Sequence, residues 1–311
     1  MHAPRAFAPP QLPTATQVPL YYRPEYNIRL WGLERLHPFD SCKYEAVFCA
    51  LRDASLVTAD NTVQPALLSE EELQAAHSDA YLRSLESSIS IARVAEVPPA
   101  ACVPSCLLKR NVLQPFRYAA RGSIDAAHAA LSRGVGINLG GGFHHASREF
   151  GHGFCVYNDI SMAIWAVRET APEHEPPLRV MIVDLDAHQG DGHERDFMGD
   201  HATHILDCYR PGIFPDARDA MRAIHTSMHF RVGDDGHTFL AELRTKLPAA
   251  LATFRPHLVV YNAGTDILIG DPLSGLTITA ENVVARDELV FECCGYPRVQ
   301  SVQPTTASGV C

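Results

Sequence analysis

The chain is short of positive charge. Its 26 lysines and arginines face 36 aspartates and glutamates, which leaves a formal charge of −10. Direct nucleic-acid binding needs a basic face, so none is expected. A run of about 18 apolar residues is also missing, so no membrane span is expected. The opening "MHAPRAFAPPQLPTATQVP" lacks the apolar block of a signal peptide, and its prolines predict a flexible leader over residues 1–17. Nine cysteines, odd in number and irregularly spaced, make no disulfide framework. Cys102 and Cys106 lie close, but no second Cys or His pair stands at zinc-finger spacing. Reduced thiols point to a cytoplasmic or nuclear setting. No internal repeat or block of like charge occurs.

What the chain does have is apolar material: 46% of its residues are hydrophobic, enough for a sizeable core in a single α/β domain. "LLSEEELQAAHSDAYLRSLES" predicts a helix, with Ser69 and Glu72 spaced as a capping box. "RGSIDAAHAALSRG" predicts a second, with Ser123 near its start and Gly134 after its end. "NDISMAIWAVRET" predicts a third, and "HTFLAELRTKLPAALATF" a fourth, bent or broken at Pro248. Short apolar or β-branched runs at 135–139, 180–185, 203–206 and 258–261 alternate with these helices. That alternation predicts a largely parallel sheet buried on both faces.

Ligand sites in open parallel sheets gather beyond the carboxyl ends of the strands. His144 and His145 follow the first run. Asp184, Asp186, His188 and Asp191 follow the second, and Asp266 follows the last. Taken singly, a His-His pair after a glycine turn is usually structural, and an Asp after an apolar run usually caps a turn. Three strand ends delivering His and Asp to one place favour a site. Asp184, Asp186 and His188 share a face by strand alternation, and two carboxylates there call for a cation between them. Asp186, His188 and Asp266 would give three protein ligands, as a catalytic zinc wants, although iron or cobalt also suits this donor set. His144 and His145 then fit acid/base work, with Asp184 and Asp191 as candidate partners for their second ring nitrogens. The triple glycine at 140–142 allows a tight turn and a close approach of backbone to substrate. His193, Glu194, Asp196, His201 and His204 are expected to be solvated or helix-start residues, and His152 to stand near a pocket rim.

"GGGFHH", "GFCVYNDI", "DLDAHQGDG" and "NAGTDILIGDPL", in this order, resemble the zinc-dependent histone deacetylases. "LWGLERLHPFD" and the short leader are most similar to the class IV, histone deacetylase eleven-like, branch. The resemblance implies a single-domain, three-layer arginase/deacetylase-like α/β fold with an eight-stranded, mainly parallel sheet. It covers residues 18–291, between the leader and a divergent tail at 292–311. By motif position it assigns one zinc ion to Asp186, His188 and Asp266. His144 and His145 become the catalytic tandem histidines, supported by Asp184 and Asp191. Gly153 and Phe154 match one wall of an acyl-lysine channel, and Phe214 the other. The implied activity is hydrolysis of acyl-lysine amides on histones and other proteins, with long-chain fatty acyl groups favoured in the class IV branch. Other chromatin-regulatory proteins are implied as partners, and nucleus and cytoplasm as locations.

The C-terminal part departs from this pattern. The family continues into an apolar strand ending in Gly-Gly-Tyr, and the tyrosine donates to the developing oxyanion. Here "ECCGYPRVQSVQPTTASGVC" follows instead, and Tyr296 comes too soon after Asp266, without a strand to place it. A catalytically weak isoform acting as a binding or regulatory protein is therefore the alternative. Binuclear ureohydrolases share the fold, but they need further carboxylates around the third motif, where Gly264 and Ile267 stand instead.

Overall fold

The computed structural model describes residues 6–12, 18–171 and 177–296. Its strands are β1 (Leu20–Tyr21), β2 (Thr62–Val63), β3 (Ile137–Asn138), β4 (Val180–Asp184), β5 (Thr203–Tyr209), β6 (Thr226–His229) and β7 (Leu258–Asn262). They form two sheets, ordered β2-β1-β3 and β6-β5-β4-β7. Every pairing in both is parallel. The single eight-stranded sheet implied by the resemblance is thus not what the described residues build, because none of their strands bridges β3 and β7.

The centre of the larger sheet explains the layering. β4 is wholly buried, and its side chains alternate between two cores. Val180 and Ile182 enter one with the helix Asp159–Thr170, while Met181 and Val183 enter the other with the helix His237–Phe254. A strand feeding apolar side chains to both faces needs helices on both, which gives three layers.

Local signals set most element ends. Ser69 and Glu72 close the capping box of the helix Glu70–Ala76, each satisfying a main-chain N–H of the other. The helix expected to begin near Ser123 instead runs Gln114–Arg133. Its buried face starts earlier, at Phe116, Ala119 and Ala120, and Ser123 turns its hydroxyl to Asp159 rather than capping. The helix His237–Phe254 passes through Pro248 unbroken, since Leu243, Leu247 and Ala250 continue one buried stripe across it.

Residues 6–12, expected within a flexible leader, lie against the domain. Phe7 is buried in the core. The N–H groups of Ala8 and Gln11 donate to Glu72 and Asp125, and the Arg121 guanidinium donates to both carboxylates. Buried charges need this pairing, and the segment supplies backbone donors to complete it. The remaining leader residues, 1–5 and 13–17, lie outside the described residues, as does the tail from 297 onward. No helix of the described residues is long and apolar enough to cross a membrane.

One buried histidine should make the fold acid-sensitive. His77 is fully buried, its Nε2 accepts from the Asn158 N–H, and burial pushes its pKa down from 6.5 to about 4. The unfolded chain therefore binds a proton that the folded chain refuses between those values. Stability is complete above the unfolded value and falls as pH drops through the window, by about 2 kcal/mol from pH 7 to pH 5. Urea midpoints at the two pH values should show a smaller loss for His77→Gln. An equal loss would place the acid sensitivity elsewhere.

Candidate metal and acid/base site

Three strand ends do meet. β4 and β7 are in register with Asp184 opposite Asn262, so the loops leaving them carry Asp186, His188 and Asp266 to one point. His188 Nδ1 stands 2.7 Å from Asp266 Oδ2 and 3.2 Å from Asp186 Oδ1. One donor atom from each of the three lies within 4.8 Å of the others. Burial and the Asp186 charge push the Asp266 carboxyl up to about 6, while burial is outweighed at His188 by Asp186 and Asp266, which raise it to about 9. The imidazole takes up a proton to hold two carboxylates together. A divalent cation meets the same demand, and the donor set of two oxygens and one nitrogen fits one.

The loops are held from behind. The Arg286 guanidinium, fully buried on the helix Ala280–Cys293, donates to the carbonyls of Leu185 (3.2 Å) and Gly264 (2.6 Å), one on the loop of Asp186 and His188 and one on that of Asp266. The N–H of Ala187 donates to Asp266 Oδ1 at 2.9 Å, leaving Oδ2 for the cluster. Gly264 itself is required, because a Cβ there would lie 2.3 Å from Asp186 Oδ2.

The tandem histidines follow the glycine turn. Asp159 fixes that turn by accepting from the N–H groups of Gly142 (2.9 Å) and Phe143 (2.8 Å). His144 Nδ1 lies 2.9 Å from Asp184 Oδ2, and His145 Nδ1 lies 2.9 Å from Asp191 Oδ1. Both rings are buried, yet they titrate in opposite directions. At His144, burial is overcome by Asp184 and Asp186, which raise it to about 10. At His145, burial and the neighbouring His144 charge lower it to about 4. The pair thus holds one imidazolium and one neutral imidazole with its Nε2 unprotonated.

The three residues that the resemblance assigns to a channel separate. Phe154 is buried against His37 and Phe39, with ring centroids 4.9 Å away in each case. Phe214 is half exposed and stands 5.1 Å from the His145 ring. Gly153 lies between them at φ +55°, where a Cβ would come within 2.6 Å of His145 and 2.8 Å of Phe214. Only glycine allows that approach. All three border a cavity of about 1640 Å³ that also contains the His/Asp cluster.

Several site residues escaped the sequence reading. His193 and Glu194, expected to be solvated, are buried. They sit on the short helix Asp191–Asp196, where His193 Nε2 reaches Asp184 Oδ2 at 2.9 Å. Asp207 is the register partner of Asp184 on β5, and burial followed by the Asp184 and Glu194 charges raises its carboxyl strongly. That register was the available signal. Asp196 is half-buried and accepts from Asn158, while His201 stays exposed and His204 stacks on His225. His152 joins the site, its Nε2 lying 3.1 Å from Asp191 Oδ2. The Asn262 amide donates to Asp184 Oδ1 at 2.9 Å. Tyr296 is not at the cluster: its hydroxyl lies where Gly134 would carry a Cβ, at the opposite end of β3 from His144.

A family profile described as the histone deacetylase domain matches residues 37–303. The chain belongs to the histone deacetylase domain family. It is 43% identical over 291 residues to histone deacetylase 2 of Arabidopsis thaliana, a match covering 94% of this chain and 74% of that protein. It is 29% identical over 237 residues to histone deacetylase 8 of Xenopus laevis, covering 71% and 70%. Two solved structures share the arginase/deacetylase fold, each with a TM-score of 0.71 and 90% of this chain covered. The HDA15 HD domain is 19% identical with 82% of its chain covered, and an HDAC homolog complexed with SAHA is 20% identical with 77% covered.

Proposed function

We propose that this family member hydrolyses acyl-lysine amides on proteins, histones included, using one zinc ion held by Asp186, His188 and Asp266. The observation that carries the reading is the convergence of those three donors beside two buried histidines, each paired with its own carboxylate. A zinc ion there supplies Lewis acidity, polarising the acyl carbonyl and acidifying a water. His145, neutral and oriented by Asp191, accepts the water proton at Nε2. His144, held by Asp184, donates a proton to the departing lysine amine. Gly153, Phe154 and Phe214 border the path of the acyl-lysine side chain. Placement in the class IV branch rests on "LWGLERLHPFD", and a preference for long acyl chains follows only from that placement. Chromatin-regulatory partners and a nuclear and cytoplasmic location belong to the same reading.

Tyr296 favours a second reading, a weakly catalytic form that binds or regulates. Its phenol lies beside Gly134, at the far end of β3 from His144, and so supplies no oxyanion donor at the cluster. Losing one such donor costs about 10²–10³-fold in turnover. Acetyl- and fatty-acyl-lysine peptides should therefore be hydrolysed slowly by the 311-residue chain, in a metal-dependent manner. Grafting a strand ending in Gly-Gly-Tyr in place of residues 292–311 should raise the rate by that factor. Fast hydrolysis by the chain as it stands, abolished by Tyr296→Phe, would reverse the assignment.

A further inference from the structure

Asp191 holds a second imidazole besides that of His145. Its buried carboxylate is engaged from both sides, Oδ1 standing 2.9 Å from His145 Nδ1 and Oδ2 standing 3.1 Å from His152 Nε2. One donor atom from each of the three residues lies within 4.8 Å of the others. This cluster shares no residue with Asp186, His188 and Asp266, and its composition is reversed, with two imidazoles and one carboxylate. Zinc, a borderline-soft ion, takes such a nitrogen-rich donor set readily.

The backbone pins His152 in place. A Cβ at Gly151 would lie 2.3 Å from the Tyr81 hydroxyl, and one at Gly153 would lie 2.6 Å from His145, so only glycines fit on either side of it. The His152 carbonyl accepts from the Cys155 N–H at 2.9 Å, and its ring stands edge to face with Phe150 and Phe214, at 5.2 and 5.0 Å. The ring is 29% exposed whereas Asp191 is sealed, so an ion reaches the cluster past His152. Arg195 is the neighbouring cation, its Nε 3.7 Å from Asp191 Oδ2. Its guanidinium is paired with Asp219, which offsets that charge.

We propose that His145, Asp191 and His152 form a second, weaker zinc site, and that an ion there reverses the tautomer of His145. The ion takes the Nδ1 lone pair of His145, and the ring's single proton moves from Nδ1 to Nε2. No proton is gained or lost. Nε2 then faces the cavity as a donor and no longer accepts from water, so excess zinc inhibits. Binding is weaker than at the first cluster because one carboxylate attracts the ion instead of two, and because the ion displaces two hydrogen bonds. The site rests on its three donors alone, while its effect on turnover rests on the acyl-lysine hydrolysis proposed above.

The test is zinc content of the whole chain by elemental analysis, after dialysis against excess zinc and again after dialysis against zinc-free buffer. The chain should hold a second ion in the first case and lose it in the second. His152→Gln keeps an amide donor for Asp191 Oδ2 but offers zinc no imidazole, so it should never hold the second ion, and neither should His152→Ala. In excess zinc Asp266→Ala should lose the first ion and keep the second. His237→Ala, which removes an exposed histidine 3.7 Å from Asp235, should keep both. In ¹⁵N-histidine spectra of Asp266→Ala, added zinc should carry the His145 proton from Nδ1 to Nε2. Excess zinc should slow acyl-lysine hydrolysis by up to roughly 10²–10⁴-fold, the range for a general base, and His152→Gln should resist it. A chain that never holds a second ion, or a second ion kept by both His152 variants, overturns the site. A second ion that leaves the His145 proton on Nδ1 overturns the tautomer reversal. Reversal with turnover unchanged bears out the site and overturns His145 as the base.

Discussion

Asp266→Ala should leave the purified chain with almost no bound divalent ion, against about one per chain before the change. Three protein donors are the working minimum of a catalytic zinc site, and Asp266 is the one that closes the triangle across from Asp186 and His188. Its Oδ2 faces His188 Nδ1 at 2.7 Å. Its other oxygen accepts from the Ala187 N–H, so alanine also frees the loop that carries His188. Asp266→Asn separates the two effects, because the amide oxygen still serves Ala187 while the charge is gone. Elemental analysis of both variants gives a readout independent of turnover. Full metal content in Asp266→Ala would mean that the ligand assignment is wrong.

The tandem histidines show why parts of this site were legible before the fold was known. A parallel strand delivers its following residues to one edge of the sheet, so His144, Asp186 and Asp266 could be grouped from three separate runs without knowing strand order. The partners of the histidines were readable for a related reason: Asp184 and Asp191 bracket the ligand pair in one short segment. His193 was not readable. Its burial depends on the helix Asp191–Asp196 packing against the turn Ala220–Ala223 and on the reach of His193 to Asp184, and a six-residue helix has too little periodicity to announce a buried face. Arg286 was hidden for another reason. A mid-helix arginine is ordinarily solvated, and only the tertiary position of Leu185 and Gly264 gives its guanidinium two carbonyls to hold. β1, β2 and β3, two residues each, were too short to show alternation, although β3 was caught through the apolar run around it. Residues 6–12 look like a solvated leader in composition. Phe7 and a set of buried carboxylates, distant in sequence, pull them onto the domain.

His145→Ala should retain the metal and lose turnover by roughly 10²–10⁴-fold, the range for a positioned general base. The argument is electrostatic as well as geometric. His145 is pushed down to about 4 by burial and the His144 charge, and it stays neutral above that value. It is therefore able to accept a proton at pH values above that. Its Nδ1 is committed to Asp191, itself held by His152, so the ring presents Nε2 to the cavity in a fixed tautomer. His144, its Nδ1 held by Asp184, is the alternative acceptor that this comparison tests. Asp191→Asn should give a smaller loss, because the amide still orients the ring but no longer stabilises the imidazolium it becomes. Both variants are best compared in the form grafted with a Gly-Gly-Tyr strand, where the starting rate is high enough to measure the full range. Loss of bound metal in His145→Ala would make this ring a ligand instead of a base. Unchanged turnover with metal retained would move the proton transfer to His144.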